Sequence, residues 1–137
     1  MESIREQNLR HLNNLVFLAK IDDHFDDREE DLVFEIGRQN GFTDAEIFEV
    51  IGNPKNLPIA QPSSEIEQFR HLFNVVNMMM VDDRLFQVEL EYCVHVALQL
   101  GFKKIIVNVL IKAIEDGLKL GLEEKAIRED VFALISE

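Results

Sequence analysis

Sliding the sequence along itself by 60 residues lays 11–51 over 71–111 without a gap. Eleven of the 41 aligned positions are identical: His11/His71, Leu12/Leu72, Asn14/Asn74, Val16/Val76, Asp22/Asp82, Asp23/Asp83, Glu29/Glu89, Gln39/Gln99, Gly41/Gly101, Phe42/Phe102 and Ile51/Ile111. Unrelated segments of ordinary composition would share about two or three. Apolar exchanges such as Ile36/Val96, Ile47/Val107 and Val50/Leu110 extend the match. A chain duplicated in this way is expected to fold as two like halves. The period is longer than that of solenoid repeats, and two copies are too few for one. We therefore expect two units packed about a pseudo-two-fold axis.

Each unit reads as three helices. Leu9, Leu12, Leu15, Val16 and Ala19 recur at three and four residues, the spacing of one helix face, which predicts a first helix over 2–21. A second is predicted from Asp26 to the glycine at 41, with Leu32, Val33 and Ile36 inward. Thr43-Asp44-Ala45-Glu46 is a capping-box sequence and opens a short third helix carrying Ile47, Phe48 and Ile51. All three prolines (Pro54, Pro58 and Pro62) fall in 52–63, which reads as a connector. Ser64-Glu65-Ile66-Glu67 is a second capping box and starts a fourth helix to Val81. Helices over 87–100, 103–116 and 123–136 follow, the last with Ala126, Ile127, Val131 and Leu134 inward. Strand patterns are nearly absent. The predicted fold is all-α: about seven helices in a single compact bundle, two pseudo-symmetric three-helix repeats plus a C-terminal helix. One domain over 1–137 is expected, because half of a 137-residue chain buries too little surface to stand alone.

Charge removes several functions. Fourteen Lys and Arg against 26 Asp and Glu give a net charge of −12. Such a chain has no general attraction for nucleic acid or for an anionic membrane. No apolar stretch approaches the roughly 20 residues of a spanning helix. The first residues are charged and lack a signal peptide's apolar core. A single cysteine, Cys93, excludes an intrachain disulfide. A cytoplasmic protein is the simplest expectation.

Among the repeated identities, Leu12, Val16, Phe42 and Ile51 with their counterparts read as core, and Gly41 and Gly101 as helix stops. The acidic identities are different. Both copies carry Asp-Asp, then an apolar residue two places on, then Glu seven after the first Asp: Asp22-Asp23-His24-Phe25 to Glu29, and Asp82-Asp83-Arg84-Leu85 to Glu89. One reading is local: Asp in the turns, and Glu in the first turn of the next helix, where carboxylates favour the helix dipole. With Asp26 as N-cap, Glu29 closes a capping box. In the second copy Phe86, a poor cap, stands at that place, yet Asp82 and Glu89 remain. The other reading is a divalent-cation site. Ca²⁺ takes six to eight oxygen ligands, which two such pairs with water or carbonyls could supply. Asp22, Glu29, Asp82 and Glu89 are the candidate ligands, with Asp23, Asp83 and Asp26 behind them. The loops do not match an EF-hand: counted from Asp22, the sixth position is Asp27 and the twelfth Val33.

Ala19-Lys20-Ile21-Asp22-Asp23-His24-Phe25 with Glu29 resembles the TerB-like tellurite-resistance family: an apolar helix, Ala-x-x-Asp-Gly, an apolar residue, and Glu seven after the Asp. Gly41-Phe42-Thr43-Asp44-Ala45-Glu46 resembles that family's turn into a third helix. The second copy, Val81 to Glu89, matches less fully, and the family glycine is Asp23 and Asp83 here. The resemblance spans roughly 8–135. It implies a compact helical domain of paired bundles, cation binding at Asp22, Glu29, Asp82 and Glu89, and a non-enzymatic role in chemical stress within protein complexes. Calcium or another divalent cation is the implied cofactor. Proteins are the implied partners, a second copy of the chain included; nucleic acid and direct membrane insertion are not expected.

The remaining candidates read as structure. His11 and His71 lie about three turns, on the order of 16 Å, before the Asp pair of their own helix. They are expected to pack at a helix–helix contact. His24 sits in the acidic turn but is Arg84 in the other copy. Cys93 aligns with Val33, so an inert core thiol is expected. Met78, Met79 and Met80 suggest an adaptable binding groove, but they align with first-helix residues, and at least one of them reads as gap-filling core. Lys103-Lys104 is too small a basic spot for nucleic acid. No phosphate loop, nucleophile elbow or zinc motif is present. A plain interaction scaffold with acidic caps is the alternative, and a metal-dependent enzyme the third.

Overall fold

The structure is a computed structural model and describes residues 3–20, 25–55, 57–81 and 87–135, the side chains of 87–89 and 135 excepted. The described residues form seven helices: α1 (Ile4–Ala19), α2 (Asp27–Gln39), α3 (Asp44–Gly52), α4 (Glu65–Val81), α5 (Gln87–Gln99), α6 (Lys104–Lys119) and α7 (Glu124–Ile135). No strand occurs among the described residues. The fold is an all-α helical bundle, as the periodicity predicts. None of these helices is long and apolar enough to cross a membrane. The 60-residue offset is visible in three dimensions: α2 and α5 begin and end 60 residues apart, and α3 and α6 begin 60 apart.

The first helices of the two repeats, α1 and α4, pack on each other and carry the rest. α2 and α3 close around α1, α5 and α6 around α4, and α7 covers α4 and α6. One continuous core results. Leu12, Leu15, Val16 and Leu18 of α1 and Phe69, Leu72, Val76 and Met78 of α4 are its centre. Met79 and Cys93 also lie in it, the thiol sulfur 3.6 Å from the thioether, so Cys93 packs as a core residue.

Each half is opened and closed by local chemistry. Asp26 caps α2, and Thr43 caps α3, its own amide donating in return to the Glu46 carboxylate. Ser64 accepts from the Glu67 amide at the start of α4. α2 ends at Gly41 (φ +85°), whose amide bonds the Arg38 carbonyl while the Phe42 amide bonds Gly37. α5 ends identically at Gly101, and α6 ends identically at Gly121, with Leu122 bonding Gly117. This is the Schellman closure, with a left-handed residue that glycine adopts without penalty. The third occurrence closes α6 before α7.

Some expectations are corrected. α6 runs past Asp116 to Lys119, because Gly117 lies inside the helix. A Cβ there would come within 2.5 Å of Ile127 Cγ1, so the glycine serves close approach of α7. Leu9, Phe48, Ala126 and Leu134 are exposed although their spacing places them inward. Phe48 instead lies edge-on to Phe34, with ring centroids 4.9 Å apart. α7 is buried through Ile127 and Val131 alone of its four expected positions.

Candidate functional site

α1 ends at Ala19, which is buried, and Lys20 follows as its cap. The Lys20 ammonium donates to the Ile51 carbonyl and lies over the Phe25 ring at 5.4 Å. Asp22, Asp23, Asp82 and Asp83 fall outside the described residues, as does His24. Glu89 is the third residue of α5, the same helical position that Glu29 holds in α2; its side chain is outside the description. Glu29 is 1% exposed. Its Oε1 accepts from the Asp26 amide at 3.3 Å, and Asp26 Oδ1 accepts from the Glu29 amide at 3.0 Å. The bond from the Glu29 amide, followed by the pairing with Arg28, holds the Asp26 carboxyl below its ordinary range. The capping role of Asp26 and Glu29 is therefore present. Among the described residues no three His, Cys, Asp or Glu side chains converge as a metal would require.

The repeated histidines meet at the centre. His11 and His71 stack with ring centroids 4.0 Å apart and planes within 3°. Residues related by the duplication thus touch one another, which places the pseudo-two-fold axis between these rings. The symmetry fails one step out. Asn74 bonds His11 Nε2 at 3.1 Å. Its counterpart Asn14 instead accepts from the Leu57 amide of the connector at 3.3 Å, as Asn13 does from Lys55 at 3.1 Å. The connector exists once, so the histidine on its side loses its amide, and the buried His71 Nε2 has no hydrogen-bond partner among the described residues. Burial lowers both imidazole pKa values, that of His71 to about 4.

A cleft of about 570 Å³ lies between α2, α4 and the α6–α7 turn. Its one cation, Arg70, is engaged by Glu67 (3.0 Å) and Glu124 (3.3 Å).

A different feature appears when the outer faces of the two copies are superposed by register. In the first copy, Arg5 lies over the Phe42 ring at 4.6 Å and pairs with Glu46. Arg38 grips Asp44 with two bonds of 2.9 and 3.1 Å. Thr43 caps α3. In the second copy Arg38/Asp44 becomes Leu98/Lys104, Thr43 becomes Lys103, and Ala45, Glu46 and Glu49 become Ile105, Ile106 and Val109. Extending the same offset upstream of the aligned segment, Glu65 at the start of α4 corresponds to Arg5 near the start of α1. Both ion pairs are gone. Lys103 makes no side-chain cap for α6. Ile105 is 85% exposed and Val109, one turn on, 54%. Sequence reasoning weighed Lys103-Lys104 only against nucleic acid. The informative signal lay in the aligned copies, at positions polar in one and apolar in the other. No family model, curated protein or solved structure matches this chain.

Proposed function

We propose that this chain is a non-enzymatic binding module that holds a protein partner on the outer face of its second repeat. One observation carries the reading. The first repeat proves that this fold can close the same face with a cap and two ion pairs. The second repeat leaves it apolar and uncapped. Isolated exposed apolar residues are ordinary, but a contiguous set that replaces matched ion pairs is a mark of interaction surfaces. The test is a photo-crosslinking residue placed at position 105 or at position 45, in cells that express the protein naturally. Adducts from 105 and none from 45 are expected. Equal labelling from both sites refutes the reading.

A second reading is favoured by Glu29. A carboxylate withdrawn from water is costly unless its oxygens are engaged, and this position is acidic in both copies. In this reading Asp22, Glu29, Asp82 and Glu89 take a divalent cation such as Ca²⁺, in keeping with the resemblance to the TerB-like family and its stress-associated roles. The described donors are carboxylate oxygens, the type a hard cation takes, although Glu29 Oε1 and Asp26 Oδ1 already accept backbone bonds. Thermal unfolding with millimolar Ca²⁺, Mg²⁺ or Mn²⁺ tests it. Saturation at 100 times the dissociation constant stabilises by about 2.7 kcal/mol. No shift with any ion, or an equal shift in Asp22→Asn/Asp82→Asn, refutes the cation reading.

A further inference from the structure

We infer that the face on the second repeat takes an amphipathic helix bearing acidic residues. The inference rests on the binding-module reading above and adds the chemistry of the partner.

The face is concave as well as apolar. A groove of about 580 Å³ runs between the starts of α4 and α6 and the side of α7, lined by Gln68, Phe102, Lys103, Ile105, Ile106 and Phe132. That volume lies within the range of ordinary binding pockets and accommodates a few apolar side chains from a partner. Phe102 and Ile106 are half-buried against the core, which fixes the floor. Ile105 and Val109 continue the apolar surface along α6. Anchors spaced one helical turn apart match a partner helix laid along α6, the groove mode of helix recognition.

Local charge selects the partner's sign. The seven first-copy positions 5, 38, 43, 44, 45, 46 and 49 hold two Arg, one Asp and two Glu, a sum of −1. Their counterparts 65, 98, 103, 104, 105, 106 and 109 hold one Glu and two Lys, a sum of +1. This reversal occurs on a chain whose total is −12. Lys103 and Lys104 stand at the N-terminus of α6, whose amides have no side-chain cap, so helix dipole and ammonium groups have the same sign. Glu65 is the one carboxylate on the rim. A second copy of the chain, docked about a two-fold axis, would set Lys103 and Lys104 against themselves. An anionic membrane is a poor match, because two lysines fall short of the four to eight that such recognition uses and the remaining charge repels it.

The test is fluorescence anisotropy with a labelled helical peptide of about 15 residues, Leu at helical spacing and Glu elsewhere. A matched peptide with Lys for Glu is the control. The protein's net charge favours the Lys peptide, so preference for the Glu peptide must come from the local face. Expected are binding of the Glu peptide, at least about tenfold weakening by K103E/K104E and by Ile105→Asp, and no weakening by Ala45→Asp on the first copy. All altered side chains are on the surface, and an unchanged melting temperature verifies folding. Four results overturn the inference. Glu and Lys peptides that bind alike and are lost alike on Ile105→Asp leave the binding module standing and remove the acidic partner. A wild-type dimer that Ile105→Asp renders monomeric assigns the face to a second copy. Binding to phosphatidylserine vesicles that K103E/K104E abolishes, with no peptide bound, assigns it to lipid. No binding to any peptide or vesicle, with a monomeric wild type, removes the binding-module reading too.

Discussion

Acidification from pH 7 to pH 5 destabilises this protein through its central histidines, and His71 supplies a magnitude. His11 and His71 are 5% and 2% exposed and stack at 4.0 Å. Burial, and secondly the nearby Arg70, lowers the folded-state pKa of His71 to about 4. His11 moves the same way, by burial first and by the charge of His71 second. In the unfolded chain both titrate near the reference value of 6.5. Between pH 6.5 and 4 the unfolded state therefore binds more protons, and stability rises with pH. The contribution is complete above 6.5 and is lost as pH falls through the window toward 4. For His71 alone the loss is about 2 kcal/mol at pH 5 and about 3 kcal/mol at pH 4, and His11 adds to it. Domains of this kind are stable by about 5–15 kcal/mol, so the effect is large enough to read. The assay is urea unfolding at pH 7 and pH 5 for wild type and His71→Phe. His71 Nε2 has no hydrogen bond to lose, and a phenyl ring preserves the stack. The variant should hold its stability at pH 7 and recover about 2 kcal/mol of the loss at pH 5. Asp26, Asp44 and Glu46 have lowered carboxyl pKa values, so their contributions are intact at pH 5 and begin to disappear only as pH falls below the ordinary carboxylate range of about 4 to 4.5. Equal pH dependence in the two proteins refutes the reasoning.

Three further outcomes follow from comparing the copies. Gly37→Ala places a methyl 2.7 Å from Ile47 Cδ1 and should destabilise by about 1–3 kcal/mol, less the helix-propensity gain of about 1 kcal/mol. The second copy carries Ala97 and Val107 at these places, both buried. Gly37→Ala/Ile47→Val should therefore be far more stable than the sum of the single changes, and additivity in a double-mutant cycle by urea unfolding refutes the packing argument. Lys103→Thr restores the cap of the first copy and should stabilise by about 0.5–1 kcal/mol in thermal unfolding, while weakening the Glu peptide; a loss of stability contradicts the assignment of an uncapped α6. Asp26→Ala removes the α2 cap and should cost about 1 kcal/mol, equally with and without millimolar Ca²⁺; a cost that appears only with Ca²⁺ would make Asp26 a ligand.

Much of the fold was legible because helices and their ends are written locally. Thr43 and Glu46, Asp26 and Glu29, Gly41 and Gly101 sit at fixed offsets that determine a start or a stop whatever surrounds them. The end of α6 was less legible, since the predicted helix stopped at 116: a glycine that ends a helix and one that admits a neighbour look alike until Ile127 is seen above Gly117. Leu134 and Phe48 share the spacing of core residues, but helical spacing gives a direction and not a covering element. The candidate acidic residues were legible as a pattern, and the structure adds the capping geometry of Asp26 and Glu29. The outer face of the second repeat was written in the aligned copies and needed the ion pairs of the first to acquire meaning.

That this chain is helical, duplicated and acidic follows from periodicity, offset and charge, which are properties of residue order and composition alone. Only the approach of elements distant in the chain makes His11 and His71 touch across the pseudo-axis, gives Asn14 to the single connector, and brings Lys103, Ile105 and Phe132 to one groove. Those outcomes depend on which elements approach one another. A duplicated sequence fixes two like halves. The asymmetry around the histidines arises where a segment present once meets only one half.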